Sequence, residues 1–482
     1  MLTRLLLIGA LVTGVGAPAT HARLGEAGTF TKLDTKVTMS DRVPIAVTYF
    51  EPGGTPPAGG WPAVMMFHGL GQTRNSLDLG TWSANRVAET YLAPDGYAVL
   101  TFDARAHGQS GGLFSLDGPR ELQDTRELFA WLTAHPNVNP QKVGAFGVSY
   151  GGGMVWLAAV SGVRFSAIAT AATWTDLRQA VMPQGLVRAG IIAGFAQDVS
   201  PTRYAPDLAA LLREATSEQN TAELRSFFAA RSTRTRLGSF TVPTLMLQGR
   251  RDFAFDADQA ISAFRLLKGP KRLYLGDLGH PPAPNPVGEV QHVALEARGW
   301  FDRFLKGTGA AEPPKVELAA DPWSGRTVTY DRLPATRLLR FASRAPGRLT
   351  ASGKVVRTFA HVRHVETFGD PLVRLRVASR TGYRHLVAVL TAVRPDGSET
   401  VISDGGIETP TLGRRARTVT IRLPNEITAI PARSRLRVTI AATSTAQNLA
   451  NLVYLLPVAP AARANVSHVS LTVPVLRQPV SP

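Results

Sequence analysis

Gly147-x-Ser149-x-Gly151 follows the short apolar run Val143 to Phe146 and leads into an apolar stretch through Met154, Val155 and Leu157. Strand, tight turn and helix in that order are what a serine nucleophile elbow requires. Side chains two positions either side of the serine would collide in so sharp a turn, so glycine fills them, and the hydroxyl projects at a helix N-terminus. A serine at its ordinary pKa is a poor nucleophile and needs a base, itself held by a third group. With this elbow the expected chain order is serine, acid, histidine. Asp252, in Gly249-Arg-Arg-Asp252-Phe after the run Leu245 to Leu247, and His280, in Gly279-His280-Pro after the next strand, take those places. Asp256, Asp258 and Asp277 are rival carboxylates, Asp256 the strongest; His292, His361, His364, His385 and His468 fall in a helical stretch or in the β-rich half.

Acyl transfer also needs preorganised donors for a tetrahedral oxyanion, each contributing about 2.7–4 kcal/mol. The backbone N–H of Tyr150 is one. The second is expected from Gly69 or Leu70, in Phe67-His68-Gly69-Leu70-Gly71 after the third strand, with His68 orienting that loop. Asp103-Ala-Arg105-Ala-His107-Gly108 reads as a tight, hydrogen-bonded loop beneath the site. There is no HExxH, no cysteine, no acid cluster of calcium-loop spacing and no dinucleotide or P-loop glycine pattern, so hydrolysis without metal or cofactor is expected.

The elements that must position these residues are legible as alternation. Val43 to Phe50, Trp61 to Phe67, Tyr97 to Phe102, Phe165 to Ala171, Val242 to Leu247 and Arg272 to Leu275 are apolar runs bounded by turn residues. Helical spacing intervenes, at Leu122, Leu128, Phe129 and Leu132 for example, which predicts βαβ units, a mostly parallel sheet and about eight strands in this half. Residues from about 174 to 236 are helix-prone and predict a cap over the carboxyl edge of the sheet, with Trp174 in the substrate pocket. After a helix from Val290 to Leu305 and a Gly/Pro-rich linker, period-2 alternation at Val373-Leu375-Val377, Val419-Ile421-Leu423 and Leu436-Val438-Ile440 predicts an antiparallel sandwich or jelly roll. The expected division is a signal peptide over 1–22, a catalytic domain over 23–308 and a β-sandwich domain over 315–482.

Composition narrows the function classes. The chain has 482 residues, 44% of them apolar and 18% charged, enough to bury ordinary cores and too apolar for disorder. With no cysteine, disulfides, thiolate metal sites and a cysteine nucleophile are excluded. The formal charge is +17, and from Glu312 onward there are 24 Lys and Arg against 11 Asp and Glu. A basic β half of this kind suits an anionic cell-wall or surface polymer; no nucleic-acid motif accompanies it, so none is expected as partner. Met1 to Arg4, the apolar run Leu5 to Ala17 and the small residues up to Ala22 read as a secretory signal, too short to span a bilayer; a secreted or wall-associated protein without a transmembrane span is expected.

Taken together, these residues resemble the X-prolyl dipeptidyl-peptidase and cocaine-esterase family of serine hydrolases. The resemblance rests on the Asp103 loop, Gly147-Val-Ser149-Tyr150-Gly151-Gly152, Trp174-Thr-Asp176-Leu, Trp300-Phe-Asp302-Arg-Phe-Leu-Lys306-Gly307, and in the β half on Val393-Arg-Pro395-Asp396-Gly397 and Ala432-Arg433-Ser434-Arg435-Leu436. It implies an α/β-hydrolase sheet with a helical cap insertion followed by a jelly roll, with Ser149 as nucleophile, His280 as general base and Asp252 as orienting acid. Several members place a tyrosine donor in the loop where this chain has His68-Gly69-Leu70-Gly71. The function expected is cleavage of a small ester or peptide bond through an acyl-enzyme, dipeptidyl-peptidase-like or esterase-like. The alternative is a non-catalytic surface-binding protein with a basic sandwich.

Overall fold

The computed structural model describes residues 28–77, 80, 83–217, 221–309, 313–409, 412–444 and 453–482. The run read as a signal peptide, 1–22, lies outside them. Ten strands form one sheet: β1 (Phe30–Thr38), β2 (Pro44–Pro52), β3 (Trp61–Phe67), β4 (Ala98–Phe102), β5 (Val138–Val148), β6 (Ala167–Ala171), β7 (Thr244–Gly249), β8 (Lys271–Gly276), β9 (Val316–Ala319) and β10 (Thr327–Tyr330). Their spatial order is β1-β2-β4-β3-β5-β6-β7-β8-β9-β10, parallel from β4 through β9 and antiparallel at both edges. This is the mostly parallel sheet that the alternating pattern predicts and the α/β-hydrolase sheet that the resemblance implies, with ten strands in place of the expected eight or so because β9 and β10 extend its edge.

The central strands are buried on both faces, which is why they read as continuous apolar runs. Met65, Leu100 and Ala145 pack on one side with Leu128, Val155 and Ile261, from the helices Pro119–Thr133, Tyr150–Val160 and Ala257–Leu266. Val64, Val99 and Phe146 pack on the other with Val290, Ala294 and Phe301 of the helix Val287–Phe301. Full burial of a Val, Leu, Ile, Phe or Met side chain, as in most of these rows, contributes about 1.5–3 kcal/mol relative to exposure. Between β6 and β7 four helices, Leu177–Val181, Ala189–Phe195, Pro206–Thr216 and Ala222–Ala230, form the expected cap. No helix among the described residues is long and apolar enough to cross a membrane.

One boundary departs from expectation. The chain after the linker does not enter the sandwich at 315: β9 pairs in parallel with β8, and β10 returns along β9. The sandwich strands begin at Thr336. A short strand pattern does not say which sheet it joins, and here the buried row Val316, Leu318 and Ala320 completes the hydrolase core. Beyond it, Thr336–Ser343, Arg463–Leu476, Leu372–Ala378 and Arg417–Arg422 make one antiparallel sheet, with Gly347–Thr350 also paired to Arg463–Leu476. Val355–His361, Arg435–Ala441, His385–Val393 and Glu399–Glu408 make the facing one. Val373, Leu375 and Val377 meet Leu386, Leu390 and Val438 between them. Phe368, Ile427, Leu476 and Val480 leave that core and pack into the hydrolase core instead.

Candidate active site

Ser149 stands between the end of β5 and the start of the helix Tyr150–Val160 with φ 51° and ψ −116°. A non-glycine residue in that region stores about 1–3 kcal/mol and persists only where its surroundings hold it. They do so here: the Ser149 N–H donates to Ala171 O at 2.8 Å, and its carbonyl accepts from Thr173 Oγ1 at 2.6 Å and from the Gly153 N–H at 3.0 Å. A Cβ at Gly147 would overlap the Gly151 carbonyl, and one at Gly151 would overlap the carbonyl of Phe67 at the end of β3. The glycines are therefore demanded by the closeness of the turn to its neighbouring strand.

The structure brings the three predicted residues together. Ser149 Oγ lies 2.8 Å from His280 Nε2, and His280 Nδ1 lies 2.9 Å and 3.1 Å from the two oxygens of Asp252. Asp252 is fully buried after β7, where its carboxylate also accepts the N–H groups of Ala254 and Phe255, each at 3.0 Å. A carboxylate at Nδ1 fixes the proton there and leaves Nε2 to accept from the serine hydroxyl. The arrangement can transfer the hydroxyl proton to the imidazole as Oγ attacks a carbonyl carbon. The rival acids are engaged elsewhere: Asp256 caps the helix Ala257–Leu266, Asp258 accepts from Ser262 Oγ at 2.8 Å, and Asp277 pairs with Arg251 at 3.3 Å. So are His292, bonded to Glu317, and His361, His364 and His385, bonded to carbonyls of Arg433, Ser481 and Ala442.

The residues whose N–H groups are expected to serve as oxyanion donors line the spaces beside Ser149. Tyr150 N–H opens the helix and has no intrahelical acceptor available. Leu70 N–H has no acceptor among the described residues, and Gly69 and Leu70 line one cavity with Ser149 and His280. His68 anchors their loop. Its Nε2 accepts the Ala104 N–H at 2.9 Å, so Nδ1 carries the proton and donates to Gly69 O at 2.7 Å. Burial pushes the His68 pKa below its ordinary value, in keeping with a neutral ring. Burial pushes the His107 pKa down to about 3, and its ring stacks 5.5 Å from that of Tyr150. The Asp103 carboxylate takes the Arg74 and Gln109 N–H groups and the Arg74 guanidinium, an architectural role beneath the site.

Two spaces meet at Ser149. One, about 50 Å³, is apolar and roofed by the cap; Leu70, Phe114, Trp174, Phe195, Leu208 and Phe255 line it. Trp174 is fixed there by its Nε1–H, which donates to Arg231 O at 3.0 Å. The other, about 280 Å³, is open and carries Gln72, Asp198 and Asn285 beside His280. Of the cap acids Asp198, Asp207 and Glu214, only Asp198 lines it; Asp207 is exposed on its helix and Glu214 accepts from Thr221 Oγ1. Partial burial raises the Asp198 pKa, opposed by His280.

Some contributors went unseen in the sequence. Asn285 cradles the histidine loop, accepting the Gly279 N–H at 2.8 Å and donating to Gly279 O at 2.9 Å. Its place between Pro284 and Pro286 is a turn signal that marked the loop. Phe195 and Phe255 flank the imidazole at 5.6 and 5.2 Å, and nothing in a linear reading singles them out. Among the described residues, the one group with metal-ligand spacing, His292, Glu296 and Glu317, already encloses the Arg272 guanidinium.

The family model described as X-Pro dipeptidyl-peptidase (S15 family) matches residues 41–282. The quorum-quenching protein AidA of Acinetobacter baumannii is 34% identical over 117 residues, 24% of this chain and 36% of that protein. The chain thus spans about a third or less of the length of the curated relatives it matches. A CocE/NonD family hydrolase from Staphylococcus aureus superposes with a TM-score of 0.72 at 15% identity, over 93% of this chain and 94% of that one. An alpha-amino acid ester hydrolase superposes with a TM-score of 0.67 at 14% identity, over 96% and 98%. At these identities the likeness is one of fold.

Proposed function

The chain belongs to the X-Pro dipeptidyl-peptidase (S15) family, and from that premise we propose that it is an exported serine hydrolase that cleaves an ester or amide bond through an acyl-enzyme. The observation that carries the reading is the 2.8 Å contact between Ser149 Oγ and His280 Nε2, continued from Nδ1 to Asp252. Ser149 attacks the substrate carbonyl while His280 takes its proton; the Tyr150 and Leu70 N–H groups hold the oxyanion; the protonated His280 then gives its proton to the leaving alcohol or amine. Water, deprotonated by the same imidazole, releases the acid and restores the serine.

The apolar space lined by Trp174 and Phe255 suits a compact apolar group, and the larger space, with Asp198, gives a substrate ammonium its only acidic neighbour among the residues lining that space. Both ester and dipeptidyl substrates satisfy this. Turnover of Ala-Pro-p-nitroanilide against p-nitrophenyl butyrate separates them, with Ser149→Ala as control. A fluorophosphonate that failed to label Ser149 in the purified protein would overturn the serine mechanism. The N-terminal apolar run supports export, and the arginine-bearing outer face of the sandwich supports retention on an anionic surface polymer.

A further inference from the structure

The segment that carries Asp252 is held at both ends by the β-sandwich. At its start, Arg250 O accepts the Ile427 N–H at 2.7 Å; at its finish, the Ala257 N–H donates to Asn425 O at 3.2 Å. The sandwich loop 425–427 thus lies alongside the acid loop, and Asn425 and Ile427 are buried. A side chain ties the same point more deeply. Arg250, two residues before Asp252, is fully buried, and its guanidinium donates to Ile427 O, to Ala319 O and to the carboxylate of Glu366. Glu366 lies in the strand Val365–Glu366 and is itself fully buried. It is saturated from its other side by the N–H groups of Val480 and Ser481 and by Ser481 Oγ.

Burying two full charges across a seam between domains is a weak route to stability, since desolvation offsets most of the attraction, and apolar residues of similar volume serve as well or better. What such a pair does supply is a fixed geometry, and here that geometry is transmitted over two residues to the group that orients the catalytic imidazole. We infer that the sandwich is part of the catalytic apparatus, and that Glu366, through Arg250, is a positioning residue for Asp252. Ser149, His280 and Asp252 come from the hydrolase half, but the exact seat of the acid is set from more than 100 residues further on.

The inference rests on Asp252 being the triad acid, and the test separates the two. Glu366→Gln keeps the shape and removes the charge. The expected result is a fall in kcat of about 10- to 100-fold per fluorophosphonate-titratable site, with KM within about twofold. In an Asp252→Asn background the same change has an effect of less than about twofold, because there is no longer an acid to position. The downfield proton resonance of the His280 Nδ1–H shifts or broadens in Glu366→Gln. Ser481→Ala, which removes a single donor from Glu366, serves as a milder version and reduces kcat a few-fold in the wild-type background only. Full kcat per titrated site in Glu366→Gln and Ser481→Ala, or an equal loss in both backgrounds, overturns the inference and leaves the triad standing. Wild-type kcat in Asp252→Asn overturns the functional reading instead.

Discussion

One carboxylate of Asp252 grips His280 twice: its Oδ2 accepts the ring Nδ1–H at 2.9 Å and the backbone N–H of the same residue at 3.1 Å. Ring tautomer and loop position are therefore fixed by a single group. In Asp252→Asn the amide presents a donor where an acceptor is needed, and the imidazole turns its proton toward Ser149. The expected loss in kcat is about 10³- to 10⁴-fold, with binding little changed. Steady-state kinetics normalised to labelled serine measure it, and a loss below tenfold would contradict the assignment.

His68 makes a different kind of prediction. Its two ring nitrogens are spent on Ala104 N–H and Gly69 O, so the side chain sets the path of the loop bearing Leu70. His68→Phe keeps the bulk and orphans both backbone groups, each costing about 1–3 kcal/mol of stability when buried. It also displaces an oxyanion donor. A fall in kcat of about 10- to 100-fold is expected, below the full value of a lost donor because the Leu70 N–H is displaced and not removed. Kinetics on a chromogenic ester alongside thermal unfolding resolves the two effects.

How far the sequence reveals this molecule depends on how local each feature is. The elbow is legible because steric demand at Gly147 and Gly151 writes itself into five consecutive residues, and Asp252 and His280 because each follows a buried strand at the same sheet edge. Strand pairing is not local. Val316–Ala319 and Thr327–Tyr330 read as β yet join the first sheet rather than the sandwich, since their partner β8 is chosen by packing across the linker. The contact between Arg250 and Glu366 spans a separation of 116 residues with no periodicity to announce it. Phe195 belongs to the site through the packing of its cap helix over the sheet edge, which no local pattern announces.

The seam between the halves holds carboxyls that resist ionisation. Burial pushes Asp404 up to about 7; burial, then the neighbouring Asp258 and Asp370, pushes Asp256 up to about 7; burial, then Asp256 and Asp252, pushes Glu426 well above its ordinary value. Raised folded pKa values mean that the folded state holds these protons after the unfolded chain has lost them. Stability from this source is full below about pH 4, declines as pH climbs toward 7, and stays reduced above it. Asp404→Asn, which can still accept from Ser444 Oγ, is neutral at every pH. The variant should melt a few degrees above wild type at pH 8 and level with it at pH 4; thermal scans at the two pH values check the sign.

The outer face of the five-stranded sandwich sheet is the place to look for a surface partner. Arg374 and Arg376 point outward from one strand, opposite Ser470 and His468 on one side and Thr420 and Thr418 on the other, and Arg340 extends the row. Arg340, Arg374 and Arg376 are exposed and make no ion pair among the described residues, and these strands contain no Asp or Glu. Cations two residues apart on a strand are about 7 Å from one another, within one Debye length at physiological salt, so their fields add toward a linear polyanion and weaken as salt rises. Long-chain polyphosphate should bind the full-length protein at low ionic strength and release it at high, while neutral dextran should not bind. Arg374→Glu with Arg376→Glu should weaken that binding at least tenfold and leave kcat on a soluble ester unchanged, because neither residue touches the hydrolase cleft. Equal retention of the double variant would remove this face from any role in localisation.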